Sequence, residues 1–270
     1  MSGRPLLFSD KVTPMPKVDF DFQRYVERRR GAHEAQAREG AAYAYAGDLK
    51  VLRTLDRLRP VRLAIEGTER LWRPSERTAL AETTRVSSLK LPAIHALAAR
   101  CAELLHITPP SVYVAEALGP FAAYTFGTNE DPHIVLDRTL VKELSEPELT
   151  DVIGRECGHI QNNHVVYATA LYYVTTHANR FVRWVVTPAL LALKGWSRRA
   201  QVTADRAGLL CTRDLDVSEA VLRKRFPDEP QRIEALRLFA ETAYYRGVIG
   251  QEGGIGATEC DAKVAELLAS

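Results

Sequence analysis

The segment SEPELTDVIGRECGHIQNNH, residues 145–164, constrains the fold more than any other part of the chain. Ser145 is a ready N-cap, Glu148 follows three residues later, and Glu146 and Glu148 place negative charge in the first turn. A helix is therefore expected to start at Glu146 and to run to about Tyr167. On such a helix Arg155 and His159 are four residues apart and share one face, with Glu156 beside them. A cation, a carboxylate and an imidazole are thus held together by local geometry alone.

The sequence before this helix changes character at residue 109. Short β-rich runs at Ser111–Val114, Ala122–Phe126 and His133–Leu136 are separated by Gly, Pro, Asn and Asp, and they predict a small sheet. Upstream, residues 49–107 show mostly helical spacing, with Ile94, Leu97, Cys101, Leu104 and Leu105 forming one apolar stripe. Downstream, helices are expected at about 170–186, 189–211, 215–224 and 230–246, followed by a glycine-rich stretch over 247–257. Residues 1–47 read as an N-terminal arm, extended at first and then helical, and residues 48–270 as one domain. The arginine run Arg28–Arg30 is expected to be a solvated helix face. The fold class is α+β, mostly helical, with a small sheet beside the helix that starts at Glu146.

Composition narrows the function classes. Thirty-six basic against thirty-four acidic residues give a net charge of +2, which leaves no basic footprint for nucleic acid. Cys101, Cys157, Cys211 and Cys260 are widely spaced and predict reduced, buried thiols. No apolar run of signal-peptide length is seen at the start of the sequence. The most apolar segment, Phe181–Leu193, is too short to span a bilayer and contains Arg183. A cytoplasmic location is expected, without membrane contact; the stretch Val165–Trp196 should serve core packing or a partner surface, with a structural role for His177.

Arg155, Glu156 and His159 occupy the three slots of the zinc-protease signature H-E-x-x-H, with arginine in the first. The surrounding sequence resembles the zinc metallopeptidases typified by the CAAX prenyl endopeptidase and the bacterial protease HtpX, over about residues 85–240. AYTFGTNEDPHIVLDRTLVKELSEPELTDVIG resembles the family's substrate-edge strand and the lead-in to its metal helix. QVTADRAGLLC is similar to its E-x-x-x-D element, and FPDEPQRIEAL to its H-P-x-x-x-x-R-x-x-x-L element. The resemblance implies a catalytic role for the Glu156 and Arg232 positions and an orienting role for Asp205. Its departures are equally specific. The first metal histidine is Arg155, the third metal ligand is Gln201, the later histidine is Phe226, and the strand asparagine is Ala122.

These departures bear on the metal. A zinc site of this kind needs three protein ligands and one open position, and a guanidinium offers no acceptor. An inward cation about 4 Å from a divalent ion would cost up to roughly 8 kcal/mol at an effective dielectric of ~20. No cofactor is therefore expected. Arg155 should form an ion pair with Asp205, with Glu156 or with both, leaving His159 and Gln201 as remnants of the ligand set. A weak, non-catalytic cation between His159, Asp205 and Glu156 is the alternative. His164 lies five residues after His159, about 140° round an ideal helix, and is not expected to join the site. Cys157 should be a buried small hydrophobe on the opposite side.

The function expected from the resemblance is that of an inactive metallopeptidase homologue that binds a protein or extended peptide. Strand addition along Ala122, Ala123, Tyr124, Thr125 and Phe126 would provide the contact, because backbone hydrogen bonds need no metal. The alternatives are an active endopeptidase with an atypical zinc site and a structural subunit of an assembly.

Overall fold

The computed structural model describes residues 41–59, 61–63, 65–66, 80, 83–116, 118, 122–176 and 180–269, with backbone alone over 173–176 and 180–189. The expected arm over residues 1–40, the arginine run Arg28–Arg30 and His177 lie outside the described residues. The compact unit spans Glu39–Ser270. Tyr43 and Tyr45 are buried in its core, so the unit begins ahead of the residue 48 boundary read from the sequence.

Helix α1 (Ala46–Leu55) leads to strand β1 (Thr83–Arg85), helix α2 (Pro92–Leu104) and strand β2 (Ser111–Ala115). Strands β3 (Ala123–Gly127) and β4 (Pro132–Asp137) form a hairpin. The sheet runs β1-β2-β4-β3, with β2 and β4 parallel and the outer pairs antiparallel, so β3 is an edge. The short TTR strand β1 is an addition to the three strands that the sequence predicts.

Helices α3 (Arg138–Glu143) and α4 (Glu146–Gln161) follow. The start of α4 is a capping box: Ser145 N–H donates to Glu148 Oε2 at 2.9 Å, and the Ser145 side chain caps the third helical residue. Its end corrects the sequence reading. The helix stops at Gln161 instead of reaching Tyr167, because Asn162 turns its side chain back to the Gly158 carbonyl (2.9 Å) and Asn163 takes a left-handed conformation at φ 57°. Asparagine tolerates that region better than other non-glycine residues. The Asn162 side chain also accepts from Ala41 N–H at 3.2 Å, tying the turn to the start of the compact unit.

Helix α5 (Val165–Thr176) then leads to α6 (Arg180–Thr212), one 33-residue helix that continues through Pro188, where the sequence suggested a boundary. Helices α7 (Leu215–Arg225), α8 (Pro230–Ala240), α9 (Ala243–Val248) and α10 (Ala257–Leu267) complete the described chain. The expected helix over 230–246 is divided at Thr242, whose hydroxyl caps Tyr245 N–H at 3.2 Å. Helix α10 has no counterpart in the sequence reading.

The site is positioned by the approach of α4 to α6. A Cβ on Gly158 would lie 2.4 Å from Ala207 Cβ, and one on Gly154 would lie 2.8 Å from Cys211 Cβ. Both glycines therefore allow a separation that a larger residue would prevent. The main core runs from the sheet through α2, α4 and α6; a second cluster joins Leu55, Val166, Tyr167, Leu193 and Trp196. Among the described residues, no helix is long and apolar enough to cross a membrane.

Candidate functional site

Helix α4 presents Arg155, Glu156 and His159 to a cavity of about 260 Å³ that is also lined by Ala123, Tyr124 and Thr125 of β3 and by Gln201, Arg225 and Phe226. Arg155 is 2% exposed and points into the protein. Its Nη1 pairs with Asp205 Oδ1, and its Nη2 donates to Gln201 Oε1 at 2.8 Å. From α8, Arg232 reaches the same carboxylate with two nitrogens: Nε to Oδ2 at 2.9 Å and Nη2 to Oδ1 at 2.8 Å. It also donates to Gln201 Oε1 at 3.3 Å and to Glu229 at 3.2 Å. Asp205 and Gln201, one turn apart on α6, thus hold two guanidinium groups between them.

Phe226 lies under this network. The Arg232 guanidinium carbon is 3.9 Å from its ring centroid, with Arg225 at 5.0 Å and Arg155 at 5.2 Å. An aromatic face attracts cations, so Phe226 offers weak compensation for three like charges held close together. Burial lowers the Arg155 pKa from the usual guanidinium range, and Arg232 and Arg225 add to the effect. Burial likewise raises the Asp151 carboxyl, to about 6, against the pull of Arg155 and a 2.6 Å hydrogen bond from Ser218.

Glu156 does not pair with Arg155. Its Oε2 accepts from the Thr125 hydroxyl at 2.7 Å, linking α4 to the edge strand. Burial raises its pKa, partly offset by Arg225 and the Thr125 bond. Cys157 is fully buried, and burial pushes its thiol well above the usual range, as suits an inert core residue.

His164 corrects a second expectation. The reversal at Asn163 replaces the helical path assumed from the sequence and brings His164 Nδ1 to 3.0 Å from His159 Nδ1. His164 Nε2 lies 3.0 Å from Asp48 Oδ2 on α1. Asp48 in turn accepts from Thr203 Oγ1 at 2.6 Å and from Trp196 Nε1 at 2.7 Å. Burial of Asp48 acts to raise its pKa, but His164 and these hydrogen bonds outweigh it and leave the carboxyl below its usual value. Burial, with His164 next, lowers His159 well below the ordinary imidazole range. The sequence reading did not find Asp48, Trp196 or Arg225. Nothing local marks Asp48, 116 positions from His164, but the Asn162–Asn163 pair is a turn signal that would have ended the helix before His164.

Residues 88–242 match Peptidase family M48. The chain belongs to peptidase family M48. It is also similar to the plastoglobule-localized metallopeptidase 48, chloroplastic, of Arabidopsis thaliana, with 34% identity over 143 residues. That similarity covers 52% of this chain and 41% of the relative, so the chain spans less than half the relative's length. No solved structure matches. The mostly helical α+β fold with a four-stranded mixed sheet is that of an M48 peptidase domain.

M48 enzymes use zinc, and the donor set here does not fit it. Arg155 has no lone pair to give, and the single acceptor oxygen of Gln201 already takes two guanidinium N–H groups. Asp205 is engaged by Arg155 and Arg232. Among the described residues, no group of three or more His, Cys, Asp or Glu side chains is placed to hold a metal ion.

Proposed function

We propose that this M48-family chain acts without catalysis, as a protein that binds an extended peptide along the edge of its sheet and so serves as a binding or regulatory partner. The observation that carries this reading is the ion pair of Arg155 with Asp205, a fixed cation where the family's first metal histidine stands. Gln201 supports it, because a neutral amide has replaced a charged ligand and is committed to the same two arginines. Phe226, in place of the later histidine, completes a cation-lined pocket that has lost two ligands and one catalytic partner together. Glu156 and Arg232 persist in other work: the first holds Thr125, the second holds Asp205.

On this reading the protein needs no metal cofactor, its partner is a protein or an extended peptide, and nucleic acid has no part in it. A cytoplasmic location is part of the same proposal. Strand β3 is an outer strand of the sheet, and Tyr124 on it is 52% exposed, which suits strand addition. The name of the Arabidopsis relative favours the competing reading, an active metalloendopeptidase with an atypical zinc site.

Incubation with a quenched fluorescent peptide library separates the two. The proposal expects no cleavage above a blank, with or without added zinc. Cleavage by the purified chain that a zinc chelator abolishes would establish the enzyme instead.

A further inference from the structure

His159 and His164 meet through their Nδ1 atoms at 3.0 Å, so one ring donates and the other accepts. Asp48 decides which. It is fully buried and takes the Trp196 N–H at 2.7 Å and the Thr203 hydroxyl at 2.6 Å. His164 Nε2 lies 3.0 Å from the same carboxylate. A bare lone pair facing a buried carboxylate would be repelled, so the ring hydrogen of His164 belongs on Nε2. A neutral His164 then offers its Nδ1 lone pair, His159 carries its hydrogen on Nδ1, and His159 Nε2 is left as an acceptor. A second hydrogen on His164 would reverse this order. It would also bury a cation behind a wall that already carries Arg155 and Arg225, while Asp48 has two other donors to stabilise its charge.

His159 is half-buried and lines the cavity. With Nδ1 held by His164, Nε2 is the nitrogen open to an occupant, and it has no hydrogen-bond partner among the described residues. The rest of the wall narrows what that occupant can be. Arg155 and Arg225 disfavour a cation. A carboxylate suits the arginines but sets a charged acceptor against the Nε2 lone pair and beside Glu156. A neutral group with a hydrogen to donate is what remains. Val165, Ala168, Trp196, Ala200 and Phe226 add apolar wall, which favours a donor carried on an apolar body. Tyrosine combines a ring to bury with a phenolic hydrogen to give.

We propose that Asp48 and His164 are positioning residues that hold His159 Nε2 as a hydrogen-bond acceptor, and that the cavity takes a tyrosine side chain of the bound peptide, whose hydroxyl donates to that nitrogen. This rests on the peptide-binding reading above and names the side chain it selects. A metal-bound His159 could not act in this way, because its lone pair would be committed to the ion.

Two measurements test it. Neutron diffraction from crystals of the perdeuterated, unaltered chain locates the ring hydrogens directly. Deuterium is expected on His164 Nε2 and His159 Nδ1; deuterium on His159 Nε2 would overturn the proposal. For the ligand, the immobilised 270-residue chain is presented with two hexapeptide pools. They differ only in carrying tyrosine or phenylalanine at one fixed position, the remaining positions being varied without aromatic residues, and retention is quantified by mass spectrometry. The tyrosine pool should be retained about fivefold better, the scale of one neutral hydrogen bond. His164→Gln should bring that ratio toward unity while retention of the phenylalanine pool holds, a split that a purely structural role would not give. An unchanged ratio in that variant would overturn the positioning role. Equal retention of both pools by the unaltered chain would overturn the tyrosine assignment and leave the peptide-binding reading standing. Retention of neither pool above a blank support would overturn both. The unaltered chain decides the matter even if His164→Gln does not fold.

Discussion

Replacing Asp205 should destabilise the protein far more than replacing the arginine that stands in the metal histidine slot. Asp205 is the shared anion of two buried guanidinium groups, bonded twice by Arg232 and once by Arg155. Asp205→Asn keeps one acceptor oxygen at this position but removes the shared negative charge, leaving both cations with neutral amide oxygens and, for Arg232, the half-exposed Glu229. Stranding a buried charge costs about 3–5 kcal/mol. For a compact unit of this size that corresponds to a fall in Tm of roughly 6–20 °C. Arg155→Met is a different perturbation. Asp205 keeps both bonds from Arg232, and a buried cation that repels Arg232 and Arg225 is removed. Its cost should stay within about 2 kcal/mol, since an apolar replacement of a buried ion is often close to neutral. The double variant gives the decisive sign. Adding Arg155→Met to Asp205→Asn should recover about 1–3 kcal/mol, because one stranded charge is gone. Urea unfolding followed by circular dichroism reads all four proteins. If the double variant is less stable than Asp205→Asn alone, the shared-anion account is wrong.

Other consequences are equally direct. Asp48→Ala should cost about 3–5 kcal/mol in the same unfolding assay, because Trp196, Thr203 and His164 would all lose their buried acceptor; a loss below 1 kcal/mol, on the order of an exposed substitution, would contradict the buried network. Gly158→Ala should destabilise by about 1–3 kcal/mol, since its Cβ would sit 2.4 Å from Ala207 Cβ and force α4 away from α6; an unchanged midpoint would show that the helices are farther apart. Asp151 makes a pH prediction. Its folded pKa is raised to about 6, so the folded state binds the proton more tightly than the unfolded chain. Its contribution to stability is therefore favourable in acid and is lost as pH rises from about 4 through 6, by up to ~3 kcal/mol. Asp151→Asn should accordingly gain on the unaltered protein across that window, and a parallel pair of stability–pH curves would refute the shift.

What could be read from the sequence was mostly local. The capping box fixed the start of α4 at Glu146 because both of its partners lie within four residues. The β3 and β4 ranges were legible from alternation and from the turn residues between them. The end of α4 was misread because no proline or glycine marks it, and the break depends on two asparagines, one of them held by Tyr43 and Ala41 from far upstream. That one misplacement also removed His164 from the site, since an unbroken helix would carry it away from His159. Arg155 and Asp205 could be paired through the family resemblance. Arg225, over the same Phe226 ring, had no motif to announce it. Asp48 reaches the site only through tertiary packing of α1 against α6, which no local pattern encodes.

On the proposed reading, the Arg155–Asp205 pair stands in place of the family's zinc. Calorimetric zinc titration of the unaltered chain, beside the triple variant Arg155→His, Gln201→Glu and Phe226→His, tests it most directly. No stoichiometric binding to the unaltered chain and one zinc per chain in the triple variant are expected. Stoichiometric, tight zinc binding by the unaltered chain would contradict it.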